Sequence, residues 1–401
     1  MDNQQEPNEL PDVSQLKLVD FTINDEIRDR CRQICGEYLG GPWSDLKAEE
    51  TIIEPVEDGL SNRIYVCINL KLSQSKESTL KSDVPSKVLV RLHGSEFVGD
   101  QGDMIVVSKD ALPLIGEILH QKGLAAKIYG VFDEGRIEHF IESNKFPQES
   151  WANQQLLDCL TRKLVQIHQL EMPISKDPWS LVKLAERLYK SGKETNQFLN
   201  VDLYEPHLRP MIQDMIDFDH AGYAQWLRDM EPFIKSPCVY CHNDLHFGNV
   251  LDRTNGQSFD DRAFIIDYDN SSYGFRAYDL ALFLYLKSFI PGRVETWSFQ
   301  TITTPEEKLH TLKVYLEHLI KVRKGEIDPQ VDTIEHLKRE LDYGEVLIHF
   351  IWTSVSCAKI NPMMASVFAI MMDNAKEIKI QVKLAKERCE KYKQSLTNGD
   401  H

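Results

Sequence analysis

With 401 residues, 42% of them hydrophobic, the chain has material for one large domain or for two lobes. A formal net charge of -16 and a pI near 5.3 exclude the basic stripe that nucleic acid requires. The same acidity keeps an enzyme in solution and suits a small cationic substrate.

The first twenty residues are polar and acidic, so no signal peptide is expected and a disordered tail over 1–20 is. Helical character over 22–42 stops at Gly40-Gly41-Pro42. Strand-like runs follow at 51–56 and 63–70, joined by a turn at Asp58-Gly59. A polar loop over 73–86 precedes a third strand at 87–92. Residues 106–122 form a helix with Ser108 as N-cap and Pro113 as an awkward interior residue. Two more strands, 126–132 and 135–141, cross Asp133-Glu134-Gly135. The remainder is helical in period, with helices at 151–169, 179–190, 206–218, 223–231, 304–322, 331–359 and 363–393. The apolar stretches 280–286 and 346–352 are too short to span a membrane and read as buried helix. Of the eight cysteines, Cys31/Cys35 and Cys238/Cys241 are close in sequence. Neither has the second pair a zinc site needs, so free thiols are expected.

Chemistry concentrates in His242-Asn243-Asp244-Leu245-His246-Phe247-Gly248-Asn249, followed by Asp267 in Ile265-Ile266-Asp267-Tyr268-Asp269. His-x-Asp-x4-Asn with a later acid is the pattern of phosphoryl transfer from ATP. Asp244 can orient a substrate hydroxyl, while Asn249 and Asp267 can hold Mg2+ on the nucleotide phosphates. Asp269 is a rival ligand, placed on the same face as Asp267 if the strand before them continues. Arg91 stands where a guanidinium could grip phosphate oxygens, and its carboxylate partner is open between Asp110 and Glu117. Ser61 and Asn62 could donate to phosphates from a hairpin tip, although turns favour such residues anyway. His168 lies on an apolar helix face and reads first as packing, whereas His246 is open between loop and substrate roles.

These residues resemble the choline/ethanolamine kinase family. The likeness runs from the catalytic loop through Ile266-Asp267-Tyr268-Asp269-Asn270-Ser271-Ser272-Tyr273-Gly274-Phe275-Arg276-Ala277-Tyr278-Asp279. Gly59-Leu60-Ser61-Asn62, Val90-Arg91-Leu92-His93-Gly94 and the segments 124–130 and 135–141 agree in order and spacing, so the resemblance covers roughly residues 50–390. It implies an α+β, protein-kinase-like two-lobed fold. An N-terminal ATP-binding lobe over 21–145 would carry a five-stranded antiparallel sheet and a helix, and a larger, mainly helical catalytic lobe would cover 146–395. It also implies a cytoplasmic ATP- and Mg2+-dependent kinase of a small amino alcohol, feeding phosphatidylcholine and phosphatidylethanolamine synthesis, and a homodimer. By the same analogy the main chain at His139 and Ile141 faces adenine, and Asp244, His246, Asp269 and Trp352 face the substrate.

The sequence departs from the family where an alkylammonium would be held. Asn270 replaces a Tyr, Leu286 falls where a Glu is expected, and Trp352 alone remains of a Trp pair. ATP chemistry is kept while the ammonium cage is thinned. A phosphotransferase for another hydroxylated substrate, or a catalytically weak scaffold partner, therefore stands beside the leading reading.

Overall fold

The computed structural model describes residues 23–56, 62–74, 84–93, 106–195, 200–204, 206, 209–286, 303–357 and 376–398. The expected tail over 1–20, the Asp58-Gly59 turn, Ser61, most of the 73–86 loop and the first part of the 363–393 helix lie outside them. So do the side chains of Asn62 and Leu286. The chain divides into two compact units, one of Lys17–Asn144 with Phe264–Ile266, the other mainly of Lys145–Ala263 and Asp267–His401.

The smaller unit is built on a five-stranded antiparallel sheet of β1 (Thr51–Pro55), β2 (Asn62–Asn69), β3 (Lys87–His93), β4 (Ile128–Phe132) and β5 (Gly135–His139), in the order β1-β2-β3-β5-β4. Helix α1 (Asp25–Leu39) begins where the Asn24 side chain accepts the Ile27 amide at 2.9 Å. It ends at Gly40, whose φ of 61° lets the chain turn back at the predicted stop. Cys31, Ile34 and Cys35 on α1 pack with Ile53, Tyr65, Cys67, Val88, Val90 and Ile137 of the sheet. Period-2 alternation sends Val88 and Val90 into that core and Arg91 to the other face. The expected helix over 106–122 is split. Ser108 caps a 3-10 turn at Lys109–Ala111, and α2 (Leu112–Gln121) follows with Pro113 in its first turn, where a missing N–H costs nothing.

The larger unit is mainly helical. Helix α3 (Gln154–His168) starts at Asn153, which caps two amides, and buries nine residues along one face. The helices α4 (Ser180–Thr195), α5 (Arg209–Ile216) and α6 (His220–Ile234) follow. Strand β6 (Cys238–Cys241) pairs antiparallel with β7 (Ser272–Phe275). Helix α7 (Arg276–Leu286) is buried along its described length from Arg276 to Leu284. Across it lies α9 (Ile334–Cys357), flanked by α8 (Pro305–Val322) and α10 (Lys376–Asn398). All eight cysteines are free. Among the described residues no helix is long and apolar enough to cross a membrane.

Helix α7 is apolar except for two buried charges. Arg276 is 1% exposed and pairs with Asp332 at 2.7 Å and with Glu340. Glu340 also accepts from Ser236 Oγ at 2.8 Å and lies 3.1 Å from His336 Nε2. Such a cluster is tolerable only when each charge is compensated, and removal of one partner typically costs about 3–5 kcal/mol.

Helices α7 and α9 approach closely at Gly344, where a Cβ would overlap the Ala277 carbonyl and the Ala281 side chain. Alanine in mid-helix ordinarily gains about 1 kcal/mol over glycine. Here overpacking reverses the sign. Gly344→Ala is expected to lower stability by about 1–3 kcal/mol, read as a lower urea midpoint and melting temperature.

Candidate active site

Strand β6 delivers the chain into His242 and Asn243, whose backbone is fixed by one carboxylate. The His242 amide donates to Asp279 Oδ2 at 2.7 Å and the Asn243 amide to Oδ1 at 2.9 Å. Asn243 adopts φ 65°, a left-handed conformation that asparagine tolerates better than most residues. Its side-chain amide donates to the Asn270 carbonyl at 2.9 Å and to Ser272 Oγ at 2.8 Å, tying the loop to the segment after Asp267. Leu245 and Phe247 are buried, and Phe247 stacks on Trp151 at 4.4 Å between centroids. The loop is thus held by its backbone, an amide and two apolar anchors, leaving Asp244 partly exposed, at 26%.

Asn249 Nδ2 donates to the Asp244 carbonyl at 2.9 Å and approaches Asp244 Oδ2 at 3.4 Å. With its NH2 so committed, the amide oxygen points away from Asp244 and is the atom a hard cation takes. Asn270 Nδ2 also reaches Asp244 Oδ2 at 3.4 Å. The buried strand β8 (Ala263–Ile265) leads to Asp267, which sits at φ 67°. Burial first, and the neighbouring Asp267 charge second, push the Asp244 carboxyl up to about 8, against the opposing hydrogen bonds from Asn270 and Asn249. Two close carboxylates beside an amide oxygen form an all-oxygen donor set that fits Mg2+. Asn249 and Asp267 are the residues that would hold it, and its chemistry would be to neutralise charge on phosphate oxygens.

His246 Nδ1 accepts the Gly248 amide at 2.9 Å, capping the 3-10 turn Phe247–Asn249. Its Nε2 therefore carries the proton and lies 3.8 Å from Asp244 Oδ1. Burial, then His242, hold the ring at about 4, so it is neutral near pH 7. Trp352 hydrogen-bonds the buried Tyr278 phenol, which lies within electrostatic reach of Asp244. The strand reading for Asp269 is corrected. The strand ends at Ile265, Asp267 is left-handed and Tyr268–Asn270 is a 3-10 turn, so alternation does not carry Asp269 to the face of Asp267.

In the smaller unit Arg91 is 6% exposed, with Nε 3.7 Å from Glu138 Oε1 on the adjacent strand. Glu138 also pairs with Arg136. The carboxylate beside Arg91 thus comes from β5, whereas the sequence pointed to the following helix. Glu117 there accepts from Gln121. The His139 amide donates to the Lys127 carbonyl at 2.8 Å and the Ile141 carbonyl accepts from Ser143 Oγ at 3.0 Å.

Asp279, Asn270 and Tyr278 were not among the predicted site residues. Asn270, Tyr278 and Asp279 entered the sequence argument only within the stretch that carries the resemblance, Asn270 also as a departure from it. His168, read as packing, hydrogen-bonds Asp279 at 3.2 Å and Tyr315 at 2.7 Å. A polar residue at a buried position of an apolar helix, as Asp279 is in Tyr278-Asp279-Leu280, was the available signal.

The five-stranded sheet, the helical unit and the Asp244–Asn249–Asp267 arrangement define a phosphotransferase of protein-kinase-like fold. The chain matches the model of the choline/ethanolamine kinase family over residues 53–395 and belongs to that family. A human choline/ethanolamine kinase is 28% identical over 353 residues, covering 86% of this chain and 83% of that protein. A probable ethanolamine kinase A of Dictyostelium discoideum is 25% identical over 341 residues, covering 82% and 83% respectively. The same fold occurs in an ethanolamine kinase of Plasmodium vivax, with a TM-score of 0.61 at 19% identity, covering 90% of this chain and 91% of that one. A choline kinase of Cryptosporidium parvum matches with a TM-score of 0.61 at 15% identity, covering 90% and 97%.

Two outcomes test this geometry. Asp279→Asn keeps the volume but turns an NH2 toward a loop amide. A buried hydrogen bond to a charged group is worth about 1.5–3 kcal/mol, so turnover should fall by about 10–100-fold. Asp244 tests the electrostatics. Its folded value of about 8 lies above the ordinary value of about 3.9, so between those limits the folded state binds more protons than the unfolded one. Stability is lost as pH rises through that window. In metal-free buffer, Asp244→Asn should melt above the wild type by a margin that grows from about pH 4 to about pH 8 and then levels off; a margin independent of pH would contradict it.

Proposed function

We propose that the protein transfers the γ-phosphoryl group of ATP to the hydroxyl of a small amino alcohol, ethanolamine or choline, in a Mg2+-dependent reaction. The observation that carries this reading is the family match over 53–395 together with a catalytic loop that holds Asp244, Asn249 and Asp267 in kinase order. Relatives bearing the names choline/ethanolamine kinase and probable ethanolamine kinase support the substrate class.

Asp244, ionised once a divalent cation offsets the neighbouring Asp267 charge, accepts a hydrogen bond from the acceptor hydroxyl, orients its oxygen at the phosphorus and takes up the proton as the bond forms. His246, neutral and pointing Nε2 toward Asp244, helps to place that hydroxyl without adding charge. Arg91, backed by Glu138, grips phosphate oxygens through its fork, with Ser61 and Asn62 as further donors. The His139 amide is already committed to Lys127, so the adenine contacts assigned to this stretch fall to the His139 carbonyl and the Ile141 amide. Trp352, steadied by Tyr278, offers a ring face to the ammonium group, with Asp269 as a carboxylate of opposite charge. Cytoplasmic location, a homodimer and a product that feeds phospholipid synthesis belong to the same reading.

Asn270 favours a second reading in which the acceptor is a different hydroxylated compound. It places an amide on Asp244 where the family pattern has an aromatic residue.

An ADP-release assay with ATP, Mg2+ and a panel of ethanolamine, choline and other amino alcohols decides between them. Turnover on ethanolamine or choline is expected, reduced about 10²–10⁴-fold by Asp244→Ala. Trp352→Leu should raise KM for the acceptor by about tenfold, the size of a desolvated cation–π contact, with KM for ATP unchanged. Turnover only on another alcohol selects the second reading. ATP binding without turnover on any acceptor selects the scaffold.

A further inference from the structure

The loop anchor Asp279 is itself held from behind. Its carboxylate is 0% exposed and receives three N–H donors. Oδ1 takes the Asn243 amide, and Oδ2 takes both the His242 amide at 2.7 Å and His168 Nε2 at 3.2 Å. Burial alone would raise this carboxyl, but His168 and then His242 hold it below its usual range. A carboxylate only accepts, so His168 donates from Nε2, while its Nδ1 is hydrogen-bonded to the Tyr315 hydroxyl at 2.7 Å. His168 ends α3 and Tyr315 belongs to α8. The ring therefore cannot swing without breaking a contact to one helix or the other. Tyr315 is in turn 0% exposed and lies under the Arg276 guanidinium, 5.9 Å from its ring centroid.

We propose that His168, oriented by Tyr315, is a positioning residue for phosphoryl transfer. Its Nε2–H fixes the rotation of the Asp279 carboxylate at which each oxygen faces one loop amide. Without that donor only the His242 and Asn243 amides resist turning of the carboxylate about its terminal torsion, which has a broad well. The loop that presents Asp244 then samples misaligned positions, and a displacement of about 1 Å at the reacting centre is enough to cost about 10²-fold. This inference rests on Asp244 as the catalytic carboxylate but not on the identity of the acceptor alcohol.

The test uses the full-length protein and two isosteric amides. His168→Gln carries its NH2 to the place of Nε2 and keeps the donor to Asp279. His168→Asn ends near Nδ1, keeps the Tyr315 side and loses that donor. Two quantities are read: ADP release, and amide hydrogen exchange over residues 240–249. A hydrogen bond to a buried charge predicts about a tenfold or larger fall in kcat for His168→Asn, with KM for ATP and acceptor within about twofold. Exchange at His242 and Asn243 should quicken by a similar factor. His168→Gln should stay within about threefold of the wild type in both. Tyr315→Phe, which leaves the ring volume intact, should quicken exchange by about threefold and keeps the test decisive if the asparagine variant does not fold. Equal losses for Asn and Gln, or loop exchange unmoved by His168→Asn and Tyr315→Phe, overturn the proposal. A wild type that releases no ADP with any amino alcohol, yet shows the expected exchange pattern, defeats the assigned reaction and leaves His168 as the loop's support.

Discussion

The placing of the catalytic loop depends on one carboxylate receiving two consecutive backbone amides. Asp279 pins His242 and Asn243, and those two residues set where Asp244 points. The contact demands an unusual chain path. Two successive amides converge on one acceptor only if the backbone turns sharply, and Asn243 supplies the turn by its left-handed conformation. The asparagine side chain then joins the loop to Asn270 and Ser272, so one residue both turns the chain and ties the loop down.

Placing charges on a helix as buried as α7 looks unfavourable, since desolvation of one ion costs several kcal/mol. The structure resolves this by pairing. Arg276 meets Glu340 and Asp332, and Asp279 meets two amides and an imidazole. Arg276 and Asp279 are three residues apart on α7, with Tyr315 facing the guanidinium and bonded to the histidine that serves the carboxylate. The two compensated charges are thus ends of one polar seam through an otherwise apolar core. Such a seam specifies the register of helices more narrowly than apolar packing would, because a shifted helix leaves a charge unpaired.

Much of this was legible in the residue string, for identifiable reasons. Five strands, the stop at Gly40 and the helices expected over 151–169 and 304–322 follow from residue period and from the Gly-Gly-Pro stop. The spacing of Asp244, Asn249 and Asp267 disclosed the chemistry. What stayed hidden depends on contacts between distant segments. His168 and Asp279 are separated by 111 positions, and an apolar helix face gives no hint that its one histidine points at a carboxylate. The partner of Arg91 stayed open because Glu138 stands beside it only through the pairing of two strands far apart in sequence. The condition set for Asp269, a strand continuing past Ile265, is not met, because Asp267 has a positive φ that no residue period discloses.

The buried seam also orders events during synthesis. Asp244, Asn249 and Asp267 are all made before residue 270, yet the countercharges of Arg276, Asp332 and Glu340, arrive only with the start of α9. Domains fold as units while the chain emerges, N-terminal parts first. A nascent chain that carries the whole catalytic loop therefore holds, on α7, a guanidinium whose carboxylate partners are not yet made. The compensation of the charge on α7 is in this way completed only by late-made segments of the chain.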